Sequence, residues 1–148
     1  MTLGNHEFVN GMEGILPFLR KTTCLIVVSN LDAFSYSSPS TILDVGGKSV
    51  GVIVYTTPET VFTSSPPREL KFHDETEYVA KQVEKITNQG VDIIIVLEHS
   101  GYKKDKEIAE KVASLTLLLE LILIHSFSLK MIKKKILLQI KSKDPIQR

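Results

Sequence analysis

At 148 residues, with 43% apolar and 24% charged side chains, the chain has the balance of one globular domain with a real core and is too short for two of ordinary size. The formal charge of +1 hides an asymmetry, because residues 1–112 carry 11 Lys/Arg against 15 Asp/Glu while 113–148 carry 7 against 2. No basic patch with interleaved aromatics occurs in the first part, so no nucleic-acid partner is expected, and the single cysteine, Cys24, excludes an internal disulfide.

In chain order, Leu3-Gly-Asn-His-Glu-Phe8 reads as a Gly-opened turn, followed by a helix near Asn10–Leu19 that Pro17 should keep short or irregular. Cys24–Ser29 is an apolar, β-branched run of strand length in which Cys24 is expected as a buried structural thiol. Thr41–Val45 and Lys48–Tyr55 flank Gly46-Gly47, a hairpin signal, and the Ser/Pro stretches 37–40 and 64–67 read as loops. From Asp74 to Gln89 the residues Tyr78, Val79, Val83 and Ile86 recur at helical steps, with Asp74 or Thr76 as cap and Gly90 as terminator. Val91–Leu97 is a continuous Val/Ile run that predicts a central parallel strand buried on both faces. Glu98-His-Ser-Gly101 then turns into a polar helix from about Lys103, which puts His99 at the carboxyl end of a parallel strand, where open α/β sheets place their ligands.

Three stretches, Thr2–Phe8, Gly46-Gly-Lys-Ser-Val-Gly-Val-Ile-Val-Tyr-Thr-Thr-Pro-Glu-Thr60 and Ile93-Ile-Ile-Val-Leu-Glu-His-Ser-Gly101, carry a resemblance to the animal ecto-5'-nucleotidase and apyrase family from about Thr2 to about Val112. It implies an α/β fold, an incomplete four-layer αββα metallophosphoesterase sandwich, with 1–112 a partial domain and 113–148 a divergent tail. It also implies two divalent ions, zinc by family habit, and a nucleotide substrate for the complete protein. By the same resemblance Asn5 supplies a side-chain oxygen and His99 an imidazole nitrogen to one ion, while His6 is the catalytic histidine that binds phosphate and stabilises the departing oxygen. Taken without the family, Asn5 reads as an Asx turn.

Departures from the family pattern weigh against activity. Its signature continues Gly-Asn-His-Glu-Phe-Asp, and that aspartate orients the imidazole; Val9 stands there and can neither accept a hydrogen bond nor counter a charge. The family's Asp-x-His motif and bridging aspartate have no counterpart before Gly4, and its Gly-Gly-His turn has none after His99. His125-Ser126 lacks the two glycines and comes a few residues late, so it reads as coincidence. Glu98 replaces a usual glycine and is expected as a solvated turn residue, His73 receives no role, and Lys103–Glu107 reads as a solvated helix face.

The apolar run Leu115–Ile124 is interrupted by Glu120 and falls short of the ~20 residues that cross a bilayer. With its lysine-rich sequel it could attach weakly to a membrane surface; the plainer expectation is an unevolved tail that stays out of the sheet as helix or loose extension. No leader peptide is expected at Met1, although the family is extracellular or surface-anchored. Two functions are therefore carried forward: a fragment of a metal-dependent nucleotide phosphohydrolase, inactive by itself, and a non-catalytic pseudoenzyme or membrane-associating interaction fragment.

Overall fold

The computed structural model describes residues 1–32, 34–112, 114–120, 129–130 and 137–138. Gly46 and Gly47 both adopt positive φ, 61° and 77°, the backbone a tight two-residue hairpin needs and a side chain resists. β2 (Ser40–Val45) and β3 (Lys48–Thr56) accordingly pair antiparallel from Val45↔Lys48 to Ser40↔Ile53. Among the described residues β2 has its other edge open, and Ile42, Leu43 and Val45 are exposed along it.

β3 then pairs in parallel with β5 (Ile93–His99), in register from Val50↔Ile93 to Thr56↔His99. The crossover helix α3 (Glu75–Thr87) is capped by Asp74, whose carboxylate accepts from the Glu77 amide at 2.9 Å, and its buried Val79, Val83 and Ile86 join Ile53, Tyr55, Ile94 and Val96 in one core. Gly51 makes that packing close, since a Cβ there would lie 2.5 Å from Ile86 Cδ1. The alternate residues Ile93, Ile95 and Leu97 are only half-buried, so β5 is not sealed on both faces as its composition predicts.

Helix α4 (Tyr102–Lys111) leads to β6 (Leu117–Glu120), which lies parallel to β5 from Ile95↔Leu117 to Glu98↔Glu120. β7 (Leu129–Lys130) and β8 (Leu137–Leu138) extend the sheet antiparallel, giving the order β2-β3-β5-β6-β7-β8. The expectation that the chain after Ala113 leaves the sheet is therefore corrected. Leu115 and Leu118 are buried against the α3/α4 core, and such a leucine run accepts a strand role when a crossover helix delivers it beside an unpaired edge. His125 and the lysines at 133–135, 141 and 143 lie outside the described residues.

A second core gathers Leu3, Phe8, Ile15, Leu19, Ile26, Val28, Leu31, Phe34 and Leu70. It joins the 3-10 turn Asn5–Phe8, helix α1 (Gly11–Lys21) and the two-stranded pair β1 (Leu31–Asp32) with β4 (Lys71–Phe72). α1 runs through Pro17 without ending, because the proline sits on the exposed side, where water can serve the carbonyl it frees. Cys24–Ser29 is extended but makes a single bridge, Val27↔Ser38, and is not the strand its composition predicts. Cys24 is exposed, since the run enters the core only at Ile26.

Candidate functional site

The Asn5–Phe8 turn is anchored from below by Phe8, fully buried and edge-to-face with Phe34 and Phe72 at 6.1 Å each. The Gly4 amide donates to Glu7 Oε2 at 2.7 Å, so the Glu7 side chain reaches back to close the start of the turn. Outward, the turn is tied to α2 (Thr60–Thr63), the short helix that follows β3. Asn5 Nδ2 donates to Thr63 Oγ1 at 3.5 Å, the Ser64 hydroxyl donates to the Asn5 carbonyl, and the Ser65 amide donates to the Phe8 carbonyl at 3.0 Å. Asn5 is thereby tied to the segment that leaves the carboxyl end of β3, the end at which Thr56 lies in register with His99.

Asn30, whose importance the sequence does not signal, fixes that strand end. Fully buried, it accepts from the Thr56 amide at 3.0 Å and donates to the carbonyls of Thr56 at 2.7 Å and His73 at 3.1 Å. The Ser29 amide and hydroxyl both donate to the Val54 carbonyl at 2.6 Å, so this segment takes over the edge of β3 where β2 stops.

His6 is exposed on the turn, and among the described residues its ring has no hydrogen-bond or ion-pair partner. Val9 is exposed as well, so the position where the resemblance calls for an orienting aspartate offers an apolar side chain to solvent.

Glu98 corrects the expectation of a solvated residue. It is fully buried, and its Oε2 accepts from the Ser100 amide and from the Gly101 amide, the latter at 3.2 Å. Asp105, also expected on a solvated face, is buried and accepts from the Tyr55 hydroxyl at 2.9 Å. Burial, then the charges of Asp105 and Glu98, push that hydroxyl far above its ordinary titration range, so Tyr55 remains a donor. Lys104 sits within 4 Å of Asp74, Glu75 and Glu107 and ties α4 to the head of α3. His73 caps the β1/β4 pair, with Nε2 2.6 Å from Asp32 Oδ2 and its ring stacked on Tyr78 at 4.5 Å.

The donor chemistry fits a divalent ion only in part. An amide oxygen and an imidazole nitrogen suit zinc or manganese, and the hydroxyls of Thr56 and Ser100 are buried at this strand edge without a hydrogen-bond partner among the described residues. Within the same described residues, however, no group of three or more His, Cys, Asp or Glu converges, so a complete two-ion centre does not fit.

No protein-family profile matches the chain. The 5'-nucleotidase of Diplobatis ommata is 46% identical over 121 residues, which is 76% of this chain and 21% of that protein. Among solved structures, a 5'-nucleotidase precursor from Thermus thermophilus is 33% identical with a TM-score of 0.76, over 81% of this chain and 25% of the other. A calcineurin-like phosphoesterase from Bacillus subtilis, at 23% identity and a TM-score of 0.66 over 80% of this chain and 43% of its own, shares the fold. The chain thus spans about a fifth of the curated relatives it matches. By sequence and by structure, then, the chain is similar to an incomplete part of the 5'-nucleotidases, and it has the fold of the calcineurin-like phosphoesterases.

Proposed function

We propose that this chain is part of a metal-dependent nucleotide phosphohydrolase of the 5'-nucleotidase or apyrase type, and that by itself it does not turn over. The observation that carries the reading is the tie between the Asn5–His6 turn and the carboxyl end of β3, where β5 delivers His99. In the complete protein Asn5 and His99 would hold one of two divalent ions, zinc in this reading, and His6 would bind the phosphate of a nucleotide ester or anhydride. Such ions would polarise the phosphate and lower the pKa of a bound water. Residues 1–112 form the domain part and 113–148 a divergent tail whose first strand the sheet has recruited. An extracellular or cell-surface setting follows the relatives' type, and no helix among the described residues is long and apolar enough to cross a membrane.

A second reading, a non-catalytic interaction fragment with a tail that attaches weakly to membranes, draws on the exposed Val9 and on the His6 ring, partnerless among the described residues. Phosphate release from nucleoside mono- and diphosphates, with zinc or manganese added, separates the readings for this chain. None is expected, because two donors cannot neutralise charge as a two-ion centre does. Metal-dependent release abolished by His6→Ala would show that the chain is an enzyme as it stands.

A further inference from the structure

Helices α3 and α4 end at one groove. α4 starts where β5 ends, so its last residues lie roughly 15 Å along the helix from the strand end that carries the candidate site. There they meet the last two turns of α3 across a cavity of about 290 Å³. Val83 and Val112, both buried, give it an apolar floor. Glu84 and Asn88, one turn apart at the end of α3, line one side, and Lys111 with Ser114 lines the other. Opposite charges thus face one cavity without meeting. The Lys111 ammonium is bound to Glu107 at 2.8 Å, which occupies one of its three N–H donors. Among the described residues the Glu84 carboxylate, the Asn88 carboxamide and the Ser114 hydroxyl have no hydrogen-bond or ion-pair partner. The carbonyl ends of both helices close on the same groove and favour a positive group there.

We propose that the groove between α3 and α4 is a binding site for a small zwitterion, an α-amino acid with a short branched apolar side chain. Its ammonium group meets Glu84 and the Asn88 carbonyl oxygen, its carboxylate takes the remaining donors of Lys111, and its side chain covers Val83 and Val112. A few fixed polar groups around an apolar floor is the pattern that orients a small ligand, and the cavity is of the size such ligands need. Glu84 and Lys111 are largely solvated, so the affinity is modest, with a Kd on the order of 1 mM. The site does not depend on the phosphohydrolase reading, because no residue of it belongs to the candidate site.

The test titrates the full 15N-labelled chain with L-valine and follows its 1H–15N spectrum. Saturable shifts are expected at the amides of Val83, Glu84, Asn88, Lys111 and Val112, with the amides of the Asn5–Phe8 turn unmoved. Isobutylamine, which keeps only the ammonium, and isobutyrate, which keeps only the carboxylate, should each bind about fivefold more weakly, the change expected for one solvated ion pair. Glu84→Gln and Lys111→Met should each weaken valine binding by a similar factor. Both side chains are exposed, and an unchanged spectrum outside the groove shows that each variant keeps the fold. Absence of saturable shifts up to roughly 50 mM valine overturns the site. Isobutylamine binding as tightly as valine overturns the zwitterion and leaves a cation site. Shifts that Glu84→Gln and Lys111→Met leave unchanged place the ligand elsewhere and overturn the proposal.

Discussion

Asn30 shows how one side chain can set a site it does not line. Its amide group satisfies both backbone polar groups of Thr56 and the His73 carbonyl in a fully buried setting. Substituting alanine leaves those groups without partners and without water, and each buried hydrogen bond is worth on the order of 1 kcal/mol before the orphaning penalty is added. Asn30→Ala is therefore expected to cost about 3 kcal/mol, read as a lower urea midpoint with an unchanged slope. A loss well under 1 kcal/mol would mean that water reaches the strand end and that Asn30 does not fix it. Nothing in the sequence distinguishes Asn30 from an ordinary loop asparagine, because its three partners are 26 and 43 residues away.

At the level of elements, ion pairs brace α4 along its own length, while Ile108 seats it in the core. Glu107 accepts from Lys111 at 2.8 Å and from Lys104 at 3.1 Å, and these bonds hold its carboxyl well below the usual carboxylate range, at about 2. A depressed folded-state value means that this contribution is fully present above the ordinary carboxylate pKa and fades as pH falls toward 2. Stability measured between pH 6 and 2 should fall on the acid side, and Glu107→Gln should flatten part of that fall. An unchanged profile would show that solvent screens the pair completely. The elements legible in the sequence were those with strong local signals: the Gly46-Gly47 hairpin, α3 with its Asp74 cap, and the Val/Ile strand β5. Those misread depended on partners distant in the chain. Cys24–Ser29 has strand composition but only one bridge to make, and Leu117–Glu120 became a strand because β5 offered an edge. Glu98 was misread for the same reason, since only the fold reveals that its side chain turns inward.

Across the whole molecule the same division holds for the candidate site. Asn5, His6 and His99 were singled out by motif, and the fold ties the Asn5 turn to the segment that leaves β3, whose last residue, Thr56, is in register with His99. What the molecule does with β2 has a consequence of a different kind. An outermost strand whose six residues, Ser40–Val45, include a single charge and expose Ile42, Leu43 and Val45 is a template for another chain's backbone. Two copies meeting antiparallel along β2 would be self-complementary, since the same patch serves both partners. Purified chain is thus expected to self-associate as concentration rises, and Leu43→Lys to suppress this in sedimentation velocity without altering the monomer's fold. Whatever work the site performs, soluble lifetime of the isolated chain would then be governed at the outer strand of the sheet, by how often two such borders collide.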